Sequence, residues 1–129
     1  PTTTGAAIAA TKAYPGLAGK FDGISLRVPI VCGSLMDFTF LSARPTSVEE
    51  INDIFKKAAK EKAWDGILAV AEDPVVSSDI IRNPYGAIVD LSLTKVIDGD
   101  LVKVLAWYDN EWGYGAMLTK HILAVGKLL

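Results

Sequence analysis

Few residues in this chain are equipped for chemistry. It has one cysteine, Cys32, and one histidine, His121, which excludes a metal cluster built on those residues and an internal disulfide framework. Cys32 has no neighbouring histidine or helix start to lower its thiol pKa, so it reads as a small buried filler rather than a nucleophile. His121 sits one residue off an apolar helical stripe and reads as a surface histidine. Three other groups offer more. Thr4-Gly5 precedes an alanine-rich stretch, where the free amides and dipole of a helix start favour an anion such as phosphate, or where Thr4 simply caps the helix. Arg27 is the only charge between Ile24 and Val31. It is either a solvent-facing arginine or the forked donor of an oxyanion clamp. The third group is Asp109-Asn110-Glu111. Asp or Asn there can accept the first amides of a following helix, Glu111 suits its positive end, and an Asn amide at such a corner can bind backbone or ligand.

These groups must be positioned by the elements around them. From Leu101 to Tyr108, Leu101, Lys103, Leu105 and Trp107 alternate with Val102, Val104, Ala106 and Tyr108, which predicts a strand with little solvated face. From Tyr114 onward, Leu118, Ile122, Val125 and Leu129 recur at helical spacing. Upstream, Ala6 to Ala13 predicts a helix ended by Tyr14-Pro15-Gly16. Ile24 to Val31 and Leu35 to Ser42 predict strands, with Pro29 marking an edge or a strand end. Ser47-Val48-Glu49-Glu50 is a capping box opening a helix of about four turns, with Val48, Ile51, Phe55, Ala58 and Ala59 toward the core. Its lysines form a solvated face. Gly66 to Ala71 is a short buried strand, Val75 to Asn83 is irregular, and Ala87 to Leu93 alternates again. Asp98-Gly99 is a hairpin signal joining Thr94–Ile97 to Asp100–Val102. This order predicts an α+β domain, a mostly antiparallel sheet with helices on one face.

At 129 residues the chain suits one domain. Thirteen basic and fifteen acidic residues give a net charge of -2 with no basic stripe, which argues against nucleic acid. Half the residues are apolar, but no run is long enough to span a bilayer. Such apolar content fits either a large core or a surface covered by another domain or subunit. A lone cysteine fits a reducing cytoplasm. The start, Pro1-Thr2-Thr3-Thr4, carries no signal-like pattern and reads as a cut through a longer protein.

Thr2-Thr3-Thr4-Gly5-Ala6-Ala7, Leu26-Arg27-Val28-Pro29, Val76-Ser77-Ser78-Asp79 and Trp107-Tyr108-Asp109-Asn110-Glu111-Trp112-Gly113-Tyr114 occur in order from end to end. With these motifs the chain closely resembles the C-terminal part of phosphorylating glyceraldehyde-3-phosphate dehydrogenases. The resemblance implies oxidation of a phosphorylated aldehyde through a cysteine thioester, hydride transfer to NAD or NADP, and release of an acyl phosphate. It assigns Thr4 and Gly5 to the inorganic phosphate site and Arg27 to phosphate binding. Asn110 takes the nicotinamide carboxamide and Tyr114 an aromatic place near that ring. It implies no catalytic residue in this chain, because the family's Ser-x-Cys-Thr-x-Asn nucleophile stretch and its histidine base precede the matching region, and neither Cys32 nor His121 stands in those contexts. No G-x-G-x-x-G follows a strand, so residues 1-129 are expected to be the C-terminal domain, truncated on its N-terminal side and without a nucleotide-binding domain. Partners implied are phosphate, the aldehyde substrate, the missing N-terminal domain and further copies, a tetramer in the family. The cofactor is not expected to bind the fragment alone, and the fragment alone is expected to be inactive. Two readings compete: a noncatalytic phosphate-binding or assembly module, and a fragment of the related erythrose-4-phosphate dehydrogenase.

Overall fold

Alanine supplies most of the first helix, α1, Ala6–Ala13, because it loses no side-chain entropy on becoming helical. A computed structural model describes residues 1–129, which divide into two compact units, Pro1–Ile30 and Val31–Leu129. In the first unit α1 ends as expected at Tyr14, whose amide bonds Ala10 O at 2.8 Å before Pro15–Leu17 form a single 3-10 turn. The expected strand Ile24 to Val31 does not form. Only Ser25 pairs, in an isolated antiparallel bridge to Thr2. Alternation alone does not make a strand; a partner ladder does, and Pro29 withdraws a donor from any such ladder. Ile24, Leu26 and Val28 stay exposed.

The second unit is built on a four-stranded sheet in the order β1-β4-β3-β2: β1 Ser34–Leu41, β2 Leu68–Ala71, β3 Ala87–Ile97 and β4 Leu101–Tyr108. Both pairings of β4 are antiparallel and β2 joins β3 in parallel. The fold is α+β with a mostly antiparallel sheet. Asp98-Gly99 turns the β3–β4 hairpin, both residues at positive φ (51° and 79°), as a two-residue turn matched to strand twist requires. The two runs expected before that turn are one strand. Leu91 to Thr94 face only Val104 on β4, so a bulge absorbs the change of register between Asp90 and Lys95, which is how an extra stretch of chain stays in a ladder.

Alternation along β4 is as expected: Val102, Val104 and Ala106 are buried with Val89 and Leu91, and Phe40, Leu68, Val70 and Val96 pack against them. Helix α2, Val48–Ala58, lays Ile51 and Phe55 on this face. It has three turns rather than four, since Lys60 and Glu61 continue only as turns. Ser47 Oγ accepts the Glu50 amide at 3.2 Å, half of the expected capping box. The other half is diverted, because Glu50 pairs instead with Arg44 and Thr46. On the opposite face Asp90 is buried and held by Ser92 Oγ at 2.6 Å and the Trp107 indole at 3.1 Å. The irregular stretch contains a single helical turn, α3, Ser77–Ile80. The last helix, α4, is Trp112–Gly126. Leu118, Ile122 and Val125 lie along it but remain exposed, and Leu129 lies beyond its end. No helix is long and apolar enough to cross a membrane.

Candidate functional site

The junction between β4 and α4 is organised by Asp109, whose residue is only 2% exposed. Its Oδ1 accepts the amides of Glu111 and Trp112, each at 2.8 Å, which caps the helix. The same oxygen accepts the Cys32 thiol at 3.3 Å, and Oδ2 accepts the Arg82 amide at 2.8 Å. Arg82 has a positive φ of 64°. One carboxylate therefore joins the segment before β1, the end of α3, and the start of α4. Burial works to raise its pKa. The Arg82, Trp112 and Glu111 amides and the Cys32 thiol outweigh that and hold the carboxyl down at about 2, since donors aimed at a carboxylate favour its ionised form. The Cys32 thiol moves the other way, raised by burial and then by its bond to Asp109. A protonated thiol donating to a carboxylate is a poor nucleophile. Cys32 is also partly exposed rather than the buried filler expected.

Asn110 follows, with its side chain turned to the segment before β1. Its Oδ1 accepts the Gly33 amide at 3.1 Å and lies 3.4 Å from Ser34 Oγ. Gly86, Tyr108, Asp109, Asn110, Gly113, Tyr114 and Met117 line one open cleft of about 230 Å³. The two residues assigned to a nicotinamide, Asn110 and Tyr114, thus share a cleft, and Tyr114 is 66% exposed there. Gly113 allows α4 to start close to the segment that precedes β3: a Cβ on it would lie 2.9 Å from Tyr85 O.

In the first unit Gly5, not Thr4, is the N-cap residue of α1, with no side-chain cap; Thr4, one residue earlier, accepts the Ala6 amide on Oγ1 at 3.1 Å. Around Gly5 there is open space: a Cβ placed on it would meet nothing within 4 Å. No hydrogen bond or ion pair joins Arg27 to Thr4 or Gly5. The structure brings Asn110 and Tyr114 together on one cleft. His121 is exposed on α4, as expected. No group of histidine, cysteine and acidic residues is placed to hold a metal ion. The residues that sequence reasoning missed at the cleft are Gly86 and Met117, whose only signal was a turn composition and a helical position. The joint holding of Cys32 and Arg82 by Asp109 has no local signal at all.

The mixed sheet with its helix-capped corner cleft makes this an α+β domain. A family model described as "Glyceraldehyde 3-phosphate dehydrogenase, C-terminal domain" matches residues 1–110, and the chain belongs to this oxidoreductase family. It is 51% identical over 129 residues to the glyceraldehyde-3-phosphate dehydrogenase of Mycobacterium avium, covering all of this chain and 38% of that relative. With glyceraldehyde-3-phosphate dehydrogenase 2 of Streptomyces avermitilis the identity is 47% with the same coverage. Glyceraldehyde-3-phosphate dehydrogenase 3 of a Nostoc species is 50% identical over 114 residues, 88% of this chain and 34% of that protein. The chain therefore spans little more than a third of these relatives.

Proposed function

We propose that this chain is the C-terminal portion of a phosphorylating glyceraldehyde-3-phosphate dehydrogenase working in the cytoplasm, and that it supplies the wall of the nicotinamide site together with anion contacts. The observation that carries this is the cleft shared by Asn110 and Tyr114. Its donor set fits a carboxamide on a flat ring. Asn110 Nδ2 makes no hydrogen bond within the chain, and the exposed Tyr114 ring offers an apolar face beside it. Asn110 would hold the carboxamide of NAD or NADP and Tyr114 would flank the ring. When bound, the cofactor supplies the hydride acceptor for oxidation of the aldehyde.

Thr4 and Gly5, at the start of α1, and the unpaired Arg27 are the anion contacts in this reading, for inorganic phosphate and the phosphate of the aldehyde. Nucleophile and base come from residues outside this chain, because Cys32 is committed to Asp109 and His121 lies on a solvent-facing helix. The chain alone is then inactive and holds the whole cofactor weakly. Its assembly with further copies, as a tetramer, belongs to the same reading. The test is a chimera in which this chain replaces the matching 38% of the Mycobacterium avium relative. Phosphate-dependent reduction of NAD or NADP by glyceraldehyde 3-phosphate is expected, retained in Cys32→Ser and weakened in cofactor KM by Asn110→Ala. A folded chimera without that activity overturns the proposal.

A further inference from the structure

Asn110 has a carboxamide that can present either end to a ligand, and which end it presents decides what the cleft recognises. The Gly33 N–H settles this, because it is a donor only and lies 3.1 Å from Oδ1. The oxygen is thereby used inside the protein and the NH2 is the end left over. Gly33 is buried and has a φ of 94°, a left-handed conformation that other residues adopt only with strain. Its neighbour Cys32 donates its thiol to Asp109 Oδ1 at 3.3 Å and also lies 3.9 Å from Asn110 Oδ1. Asp109 is in turn fixed by backbone amides from two other segments.

We infer that Asp109 and Cys32 are positioning residues for Asn110: Asp109 holds the Cys32–Gly33 segment, Gly33 takes the Asn110 carboxamide oxygen, and the cleft is left offering an NH2 donor to a carbonyl oxygen. This rests on the nicotinamide reading of the cleft and adds its selectivity, for a ligand carbonyl over a ring without one. It also gives Asp109 a role beyond capping α4, since a cap needs only the Glu111 and Trp112 amides. The thiol's part is that of a donor, so a hydroxyl should replace it and a methyl should not.

The experiment compares nitrogen-15-labelled wild type, Cys32→Ala, Cys32→Ser and Asp109→Asn chains by NMR. Without ligand, Cys32→Ala is expected to lower hydrogen-exchange protection of the Gly33 amide roughly tenfold, the loss of one hydrogen bond to a charged group, and to shift the Asn110 side-chain NH2. Amides of β4 and of α4 past its first turn should be unchanged, and Cys32→Ser should restore both signals. Unchanged Gly33 protection in Cys32→Ala and in a folded Asp109→Asn overturns the inference; should Asp109→Asn lose its α4 signals, Cys32→Ala decides. A second arm adds nicotinamide or 3-methylpyridine. The Asn110 NH2 should respond to nicotinamide alone, with a several-fold weaker midpoint in Cys32→Ala. Equal response in wild type and Cys32→Ala, or equal response to both probes, overturns the selectivity. If nicotinamide leaves wild-type Asn110 unmoved while the ligand-free results hold, the cofactor reading fails and the positioning network stands.

Discussion

Cys32 Sγ lies 3.3 Å from Asp109 Oδ1 across 77 positions of sequence, and this bond makes the only cysteine of the chain a hydrogen-bond donor to the carboxylate that starts α4. Each pKa shift agrees with that direction: burial and then the bond to Asp109 raise the thiol, while against burial the Arg82, Trp112 and Glu111 amides, and last the thiol, hold the acid ionised. Chemistry by Cys32 is opposed by both. Alkylation of the folded chain at pH 7 should accordingly be slower than that of a free thiol, and Asp109→Asn should speed it by removing the carboxylate that favours the protonated form. A Cys32 reaction rate equal to that of a free thiol in solution would count against this arrangement.

Acid should loosen the corner. The folded pKa of Asp109 is depressed to about 2 from an ordinary value of 3.8, so its contribution to stability is complete above pH about 4 and is lost as pH falls toward about 2. Glu50, lowered to about 2 mainly by its bonds to Arg44 and Thr46, titrates in the same window. Denaturant midpoints measured from pH 6 to pH 2 should fall below pH about 4. The decline should be shallower in Asp109→Asn, which has no proton to gain there, and an identical decline would remove Asp109 from the account.

Gly113→Ala should open the corner sterically. Its Cβ would meet Tyr85 O at 2.9 Å, a backbone atom that cannot swing aside. A loss of about 1–3 kcal/mol is expected, as for overpacking elsewhere, together with shifts at Asn110 and Tyr114. Gly115→Ala, with open space around its Cβ, is the control and should be neutral or stabilising, because alanine favours helix.

Val102→Ala should destabilise the second unit by roughly 2 kcal/mol through loss of buried methyls and a residual cavity. Val102 is 0% exposed at the centre of the β4 core face. By contrast, Asp37→Ala breaks an exposed ion pair with Lys103, and such pairs contribute about 0–1 kcal/mol. Chemical denaturation of the two variants side by side should separate them, and equal effects would mean that the sheet core is not centred on Val102.

Phosphate should bind at the start of α1 with millimolar affinity, on the order of 4 kcal/mol. The free amides of the first turn, the Thr4 hydroxyl and the charge of Arg27 are what would hold it. Titration of the labelled chain should move the Gly5 and Ala6 amides, with weaker binding in Arg27→Ala. Shifts of equal size in the variant would exclude Arg27.

Local pattern was enough for much of this molecule. The alternation of Leu101 to Tyr108, the positive-φ turn at Asp98-Gly99, the Ser47 cap and the proline stop after α1 are all decided within a few residues, by sterics and by the nearest hydrogen-bond partner. So was family membership, through the motifs from Thr2 to Tyr114. Tertiary structure decided what depends on distant partners. Ile24 to Val31 has the alternation of a strand but only one paired residue. The stripe of α4 has the spacing of a buried face, yet Leu118, Ile122 and Val125 are exposed. The corner site follows the same rule: Asp109 and Asn110 were legible as helix-start residues, but which donors they accept was not. Cys32, Gly33 and Arg82 reach them only because β1 pairs with β4 and the chain after α3 returns beside it, and periodicity carries no record of which segments meet.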